Sequence, residues 1–189
     1  MTPKTRWNAF FTLALCLATW SSAAEPASRL WLEGDSTLHA YRSDATRLEI
    51  DFAWKSTSTA LGGPAALTLR VPVEGLKSKH SGLDKNLRKA LLADKNPDIV
   101  FSLGSYAVET SSTGRREIVG KGELTVAGVT KPQTIRAVIR EDEDALLLDG
   151  EQALLMTDFG VKPPTALLGT VKAADRIVVK FHLDLRRKS

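Results

Sequence analysis

Histidine, cysteine and clustered carboxylates are the side chains from which small proteins build catalysis or metal centres, and this chain uses them sparingly. The three histidines, His39, His80 and His182, lie far apart and share no ligand spacing. His39 is placed to meet Asp35 or Glu33 across a turn, His80 neighbours Ser78 and Ser81, and His182 falls on the polar, solvated side of an alternating stretch. No GxSxG elbow, HExxH helix, P-loop or dinucleotide fingerprint accompanies them. Glu141-Asp142-Glu143-Asp144 lacks the central glycine and ligand spacing of a calcium loop and reads as a solvated hairpin tip. No catalytic residue, metal or cofactor follows from these residues, so the chain is expected not to be an enzyme. The enzyme alternative is a hydrolase or a two-histidine metal site assembled by the fold around His39 or His80.

The only cysteine, Cys16, lies inside an apolar run from Ala9 to Trp20. Lys4 and Arg6 precede that run, and Ser22-Ala23-Ala24 offers small residues for cleavage before Glu25. Residues 1–24 therefore read as a cleaved signal peptide and 25–189 as the mature domain. The run is shorter than the ~20 residues that span a bilayer, and no other stretch is apolar enough to do so. Leu15 stands where a lipid-anchored cysteine would want a small neighbour. Cleavage leaves no thiol, so the core alone must hold a single domain of about 165 residues. It also lowers the formal charge from +4 to about +2, which leaves no basic surface for nucleic acid.

The elements that must position any site are strands. Leu48, Ile50, Phe52 and Trp54 alternate with polar residues, and Leu67, Leu69, Val71 and Val73 repeat the pattern. So do Ile118, Gly120, Gly122, Leu124 and Val126, then Ile135, Ala137 and Ile139, and finally Ile177, Val179, Phe181, Leu183 and Leu185. Arg29 to Glu33, Ile99 to Val108 and Leu146 to Thr157 supply further strands. Ala127-Gly128 marks a turn, with the chain resuming as strand after Pro132, at Thr134 to Arg140. Pro72 within a strand predicts an edge or a bulge. Gly62-Gly63-Pro64, Gly104-Ser105, Ser111 to Gly114 and Asp149-Gly150 punctuate the series. About eight antiparallel strands without alternating helices predict an all-β sandwich or barrel. Gly120 and Gly122, on the apolar side of their strand, are expected to leave room beside the backbone for a curved sheet or a ligand.

Two segments depart from this pattern. Ser81-Gly82-Leu83-Asp84 resembles a capping box, and Leu83, Leu87 and Leu91 follow at helical spacing until Asn96-Pro97. A short amphipathic helix of about Leu83 to Ala93 is predicted, as a plug over one end of the sheet or a lid over a cavity mouth. Met156 to Ile177 carries Phe159-Gly160, Pro163-Pro164 and Gly169 and reads as a long ordered loop. An eight-stranded barrel is either filled by side chains or wide enough for one small ligand, and the aliphatic pattern leaves both open.

Five segments in order resemble the YceI family of bacterial periplasmic, polyisoprenoid-binding-type proteins. They are GDSTLHAY (Gly34 to Tyr41), VPVEGLKSKHSGLDKNLRKAL (Val71 to Leu91), NPDIVFSL (Asn96 to Leu103), GELTVAGVTKP (Gly122 to Pro132) and DFGV (Asp158 to Val161). The resemblance covers Leu30 to Leu185 and implies a lipocalin-like, elongated antiparallel barrel with the helix covering part of it. It implies a periplasmic protein that holds a polyisoprenoid or quinone-type lipid inside the barrel. Combined with the strand pattern, it implies a tunnel lined by Ile50, Phe52, Leu69, Phe101, Leu124, Val126, Val179 and Phe181. The lid would then be Leu83, Leu87, Leu91 and Phe159. A transient membrane contact and a homodimer are compatible with this reading. The alternative is an interaction or stress-response module whose barrel is filled and takes no ligand.

Overall fold

The alternation of apolar and polar residues is realised as strand over most of the chain. The computed structural model describes residues 28–54, 64–142, 145–166 and 170–186. The strands are β1 (Arg29–Ser36), β2 (Tyr41–Ala45), β3 (Glu49–Trp54), β4 (Pro64–Pro72), β5 (Leu76–Ser78), β6 (Asp98–Thr110), β7 (Arg116–Val126), β8 (Val129–Asp142), β9 (Ala145–Leu155), β10 (Thr165–Ala166) and β11 (Val171–Arg186). One helix, α1 (Ser81–Ala90), and two 3-10 turns, Val73–Gly75 and Met156–Phe159, complete the described elements. The signal peptide expected at residues 1–24 lies outside the described residues. So do the turn at Gly62-Gly63, Glu143, Asp144, residues 167–169 and the basic end at Arg187-Lys188.

All pairings are antiparallel, in the order β3-β4-β6-β7-β8-β9-β11-β1-β2-β5, with β10 added to β11. The sheet is curled. Its two ends are tied by short covalent links: residues 46–48 join β2 to β3, and Val73–Gly75 joins β4 to β5. Links of three residues reach at most ~14 Å, so they hold opposite ends of the strand order close together. Thr46 fastens this corner, donating its backbone N–H (2.9 Å) and its hydroxyl (2.8 Å) to the Gly75 carbonyl.

The all-β antiparallel reading with one helix holds, with more strands than the eight or so expected. Those missed, β2, β5 and β10, have five, three and two residues, too few for a periodic signal. The expected loop from Met156 to Ile177 is also shorter than predicted, because β11 begins at Val171 and recruits β10. Within β6 the Gly104-Ser105 signal marks a bulge rather than a strand end.

Two prolines sit differently from their reading. Pro72 is the last residue of β4, which is an interior strand rather than an edge. Pro132 lies inside β8, which starts at Val129 directly after the turn. It is tolerated because β8 pairs with β9 only from Ala137 onward, so no β9 partner awaits the missing N–H. The Ala127-Gly128 turn has φ of 50° and 81°, both left-handed, as a two-residue hairpin between Val126 and Val129 requires.

Helix α1 begins two residues and ends three residues earlier than predicted. His80 is its N-cap and makes no side-chain capping bond, so the capping box does not form. Asp84 instead accepts hydrogen bonds from the Ser78 backbone N–H (2.8 Å) and hydroxyl (2.6 Å), tying the helix to β5.

Candidate binding cavity

The curled sheet encloses a cavity of about 200 Å³, walled by side chains of nine of the eleven strands, α1 and the Met156–Phe159 turn. A water molecule needs only ~10–15 Å³ measured this way, so the space is far larger than a packing defect. Its wall is almost wholly aliphatic or aromatic and, among the described residues, carries no charged side chain.

Six of the eight expected tunnel residues, Leu69, Phe101, Leu124, Val126, Val179 and Phe181, lie on this wall. Ile50 and Phe52 do not. They face the same side as their partners Leu69 and Leu67, but β3 terminates the strand order and its side chains pack on the core outside the cavity. Phe52 is engaged edge-on with Trp54 at 5.8 Å. The four residues expected in the lid, Leu83, Leu87, Leu91 and Phe159, all reach the cavity, and Phe159 is 2% exposed. Gly160, left-handed at φ 69°, turns the chain after Phe159 and lets Val161 pack on the same wall.

The glycines act differently from the sequence reading. Space beside Gly122 is not free: a Cβ there would strike the Ser102 carbonyl and the Phe101 ring, and one on Gly120 would lie 3.0 Å from Leu103 Cδ1. Gly34 lies beneath the Tyr41 ring in the same way, and Gly150 beneath Phe181. Each aromatic ring folds back over a glycine on the neighbouring strand instead of crossing the lumen. The glycines widen the cavity indirectly, by seating rings against its wall.

Among the described residues, three hydrogen-bonding side chains, Tyr41, Ser43 and Gln152, reach the wall. The strand register places them: Ser43 pairs with Leu32, Leu32 with Val179, and Val179 with Gln152, one row across four strands. Tyr41 follows two residues from Ser43 on the same face of β2. Burial, with a smaller contribution from the Asp35 charge, raises the Tyr41 pKa and keeps its hydroxyl protonated. Ser43 is 1% exposed, and its hydroxyl has no hydrogen-bond partner. An orphaned buried hydroxyl costs about 1–3 kcal/mol, so it is an unusual feature in an otherwise apolar wall. Sequence reasoning missed all three. Gln152 was detectable as the one polar inward position after Leu146, Leu148 and Gly150, whereas β2 is too short to announce itself.

Charged chemistry lies outside the barrel. His182, expected in solvent, is only 17% exposed, and its Nδ1 sits 2.7 Å from Asp149 Oδ1. Arg140 Nε donates to the other carboxylate oxygen of Asp149 at 3.1 Å. Burial raises the Asp149 pKa, but the hydrogen bonds from His182 and Arg140 outweigh it and hold the carboxyl below its ordinary value. Glu33 accepts from Trp31 Nε1 at 2.9 Å and from Lys180 at 2.7 Å, while Arg42 stacks over the Trp31 ring at 4.6 Å. His39 and His80 do approach each other, with ring centroids 6.5 Å apart. Among the described residues no third His, Cys, Asp or Glu joins them to make a metal site. Glu141, the first residue of the expected acidic tip, lies within β8 opposite Leu146 and pairs with Arg116 at 2.7 Å. No helix among the described residues is long and apolar enough to cross a membrane.

Comparison with known proteins agrees with this architecture. Over 133 residues the chain is 32% identical to a UPF0312 protein of Pseudomonas putida strain F1, covering 64% of each. A UPF0312 protein of Shewanella sp. strain W3-18-1 is 32% identical over 107 residues, 52% of this chain and 55% of that one. The match thus spans less than two thirds of the length of these relatives. Among solved structures, Burkholderia cenocepacia BcnA superposes with a TM-score of 0.66 at 15% identity, over 83% of this chain and 95% of that one. A polyisoprenoid binding domain from Saccharophagus degradans gives 0.63 at 11% identity, over 86% and 95%. The YCEI protein of Campylobacter jejuni gives 0.60 at 16% identity, over 78% and 85%. These likenesses establish a shared fold. The family model of the YceI-like domain matches residues 34–185, and the chain belongs to that family.

Proposed function

We propose that this protein is an exported, periplasmic binding protein that holds one long apolar lipid of polyisoprenoid or quinone type inside its curled sheet, for transport, storage or sequestration. The observation that carries the reading is the uncharged cavity, walled by nine strands and covered by Leu83, Leu87 and Leu91 of the α1 segment. The fold shared with a domain described as polyisoprenoid-binding supports it, and the signal-like pattern of residues 1–24 supports export. Burying about 400 Å² of hydrocarbon at ~25 cal/mol per Å² contributes ~10 kcal/mol before association costs, whereas one neutral hydrogen bond adds ~1 kcal/mol net. Affinity therefore resides in the wall, and polar groups set orientation. A transient membrane contact during transfer and a homodimer fit the same scheme. The cavity weighs against a filled barrel that takes no ligand.

Native mass spectrometry of the protein purified from its own host, followed by solvent extraction, tests the reading. We expect a bound mass that extracts as a prenyl lipid and is lost in Leu124→Glu or Phe181→Asp variants whose circular dichroism is unchanged. A folded protein that carries no lipid, or variants that keep it, would overturn the proposal.

A further inference from the structure

We infer that Ser43 is the polar anchor of the cavity and that it selects a lipid bearing an uncharged oxygen function, a carbonyl, hydroxyl or ester, over one ending in phosphate. This rests on the lipid-holding reading above and adds a head-group class to it. Ser43 is 1% exposed, belongs to the cavity wall on β2, and its buried hydroxyl has no hydrogen-bond partner. A serine hydroxyl both donates and accepts, so one oxygen of a ligand can satisfy it in either role. Its register opposite Ser78 places it beside β5, the strand to which Asp84 ties α1. A group hydrogen-bonded to Ser43 is therefore inside the protein rather than at an open rim.

The surroundings decide which group fits. Among the described residues no lysine, arginine or histidine reaches the cavity wall, so a phosphate drawn in to Ser43 would be buried without a counter-charge from them. A bare hydrocarbon fits the wall but leaves the hydroxyl orphaned. Sites built around a buried polar group reject analogues that lack the matching atom for this reason. The uncharged oxygen function is the one class that pairs Ser43 without burying a charge. Tyr41, two residues along the same face, offers a second hydroxyl to a head group with two oxygens.

The test is displacement of the neutral fluorophore N-phenyl-1-naphthylamine from delipidated protein by three chain-matched probes: geranylgeraniol, geranylgeranyl phosphate and phytane. We expect the alcohol to displace at roughly tenfold lower concentration than either of the others, the ratio a single hydrogen bond supplies. Ser43→Ala should bring the alcohol to the level of phytane while leaving phytane unchanged, and Ser43→Thr should keep the preference. Binding of all three probes with the phosphate equal to or tighter than the alcohol, or a preference that survives in Ser43→Ala, overturns the anchor and leaves the lipid reading standing. Failure of the fluorophore and every probe to bind folded wild-type protein overturns the lipid reading itself, and the anchor with it.

Discussion

Three aromatic rings set the width of the cavity, and each owes its position to a missing Cβ. Tyr41 rests on Gly34, Phe101 on Gly122 and Phe181 on Gly150. Replacing Gly150 by alanine would bring a methyl against the Phe181 ring and within 2.6 Å of the Arg136 carbonyl oxygen, so ring and backbone cannot both stay in place. Gly150→Ala is expected to lower stability by about 1–3 kcal/mol, read from the urea midpoint, and to weaken displacement of the fluorophore by lipid as Phe181 moves into the lumen. An unchanged midpoint with unchanged binding would show that the glycine seat is unimportant. Single residues were legible where alternation marks them: Leu124, Val179 and Phe181 are inward by parity alone. The same parity made Ile50 and Phe52 look equivalent to them, because alternation reports the face of a strand and not its place in the sheet. Ser43 was illegible for the opposite reason: a polar residue in a five-residue strand reads as loop.

At the scale of the element, α1 shows which part of a lid a sequence encodes. The spacing of Leu83, Leu87 and Leu91 announces the face turned to the cavity, while its attachment depends on Asp84 reaching back to Ser78. Asp84 is 7% exposed. Burial raises its pKa, but the two hydrogen bonds from Ser78 and the charges of Lys77 and Arg88 outweigh that effect and hold it below the ordinary 3.8. A depressed carboxyl pKa means the folded state favours the ionised form. Its contribution is complete above pH 3.8 and is lost as pH falls through the lower folded value. Asp84→Ala is accordingly expected to cost about 1–3 kcal/mol at neutral pH. The gap to wild type should narrow in urea titrations below pH 3.8. A gap independent of pH would rule out the ionised carboxylate as the helix anchor. The helix limits were misread by two residues at the start and three at the end, because the capping-box pattern is local and a tertiary bond to β5 claimed the carboxylate first.

For the whole molecule, cavity and stability are coupled. A wall of buried apolar side chains around about 200 Å³ forgoes packing contacts that a filled core would make, and a ligand that enters restores them. A ligand bound only by the folded state stabilises it by about 2.7 kcal/mol when present at 100 times its Kd. Delipidated protein is therefore expected to unfold several degrees lower than protein as purified, and added lipid should restore the difference in calorimetry. Equal melting temperatures with and without extraction would indicate an unoccupied cavity. The surface contributes little to this balance: ion pairs such as Arg136 with Glu109 at 3.0 Å are exposed and screened. The amino-acid sequence by itself determined the all-β class, the family, the absence of catalytic motifs and the inward parity of residues such as Leu124, Val179 and Phe181. These follow from period-two alternation and local motifs, which act over a few residues. Tertiary structure alone decided that β3 stands outside the cavity, that glycines seat aromatic rings, and that Ser43, Tyr41 and Gln152 share one wall. Those outcomes depend on strand order and curvature, which bring together residues more than a hundred positions apart, and no local pattern records them.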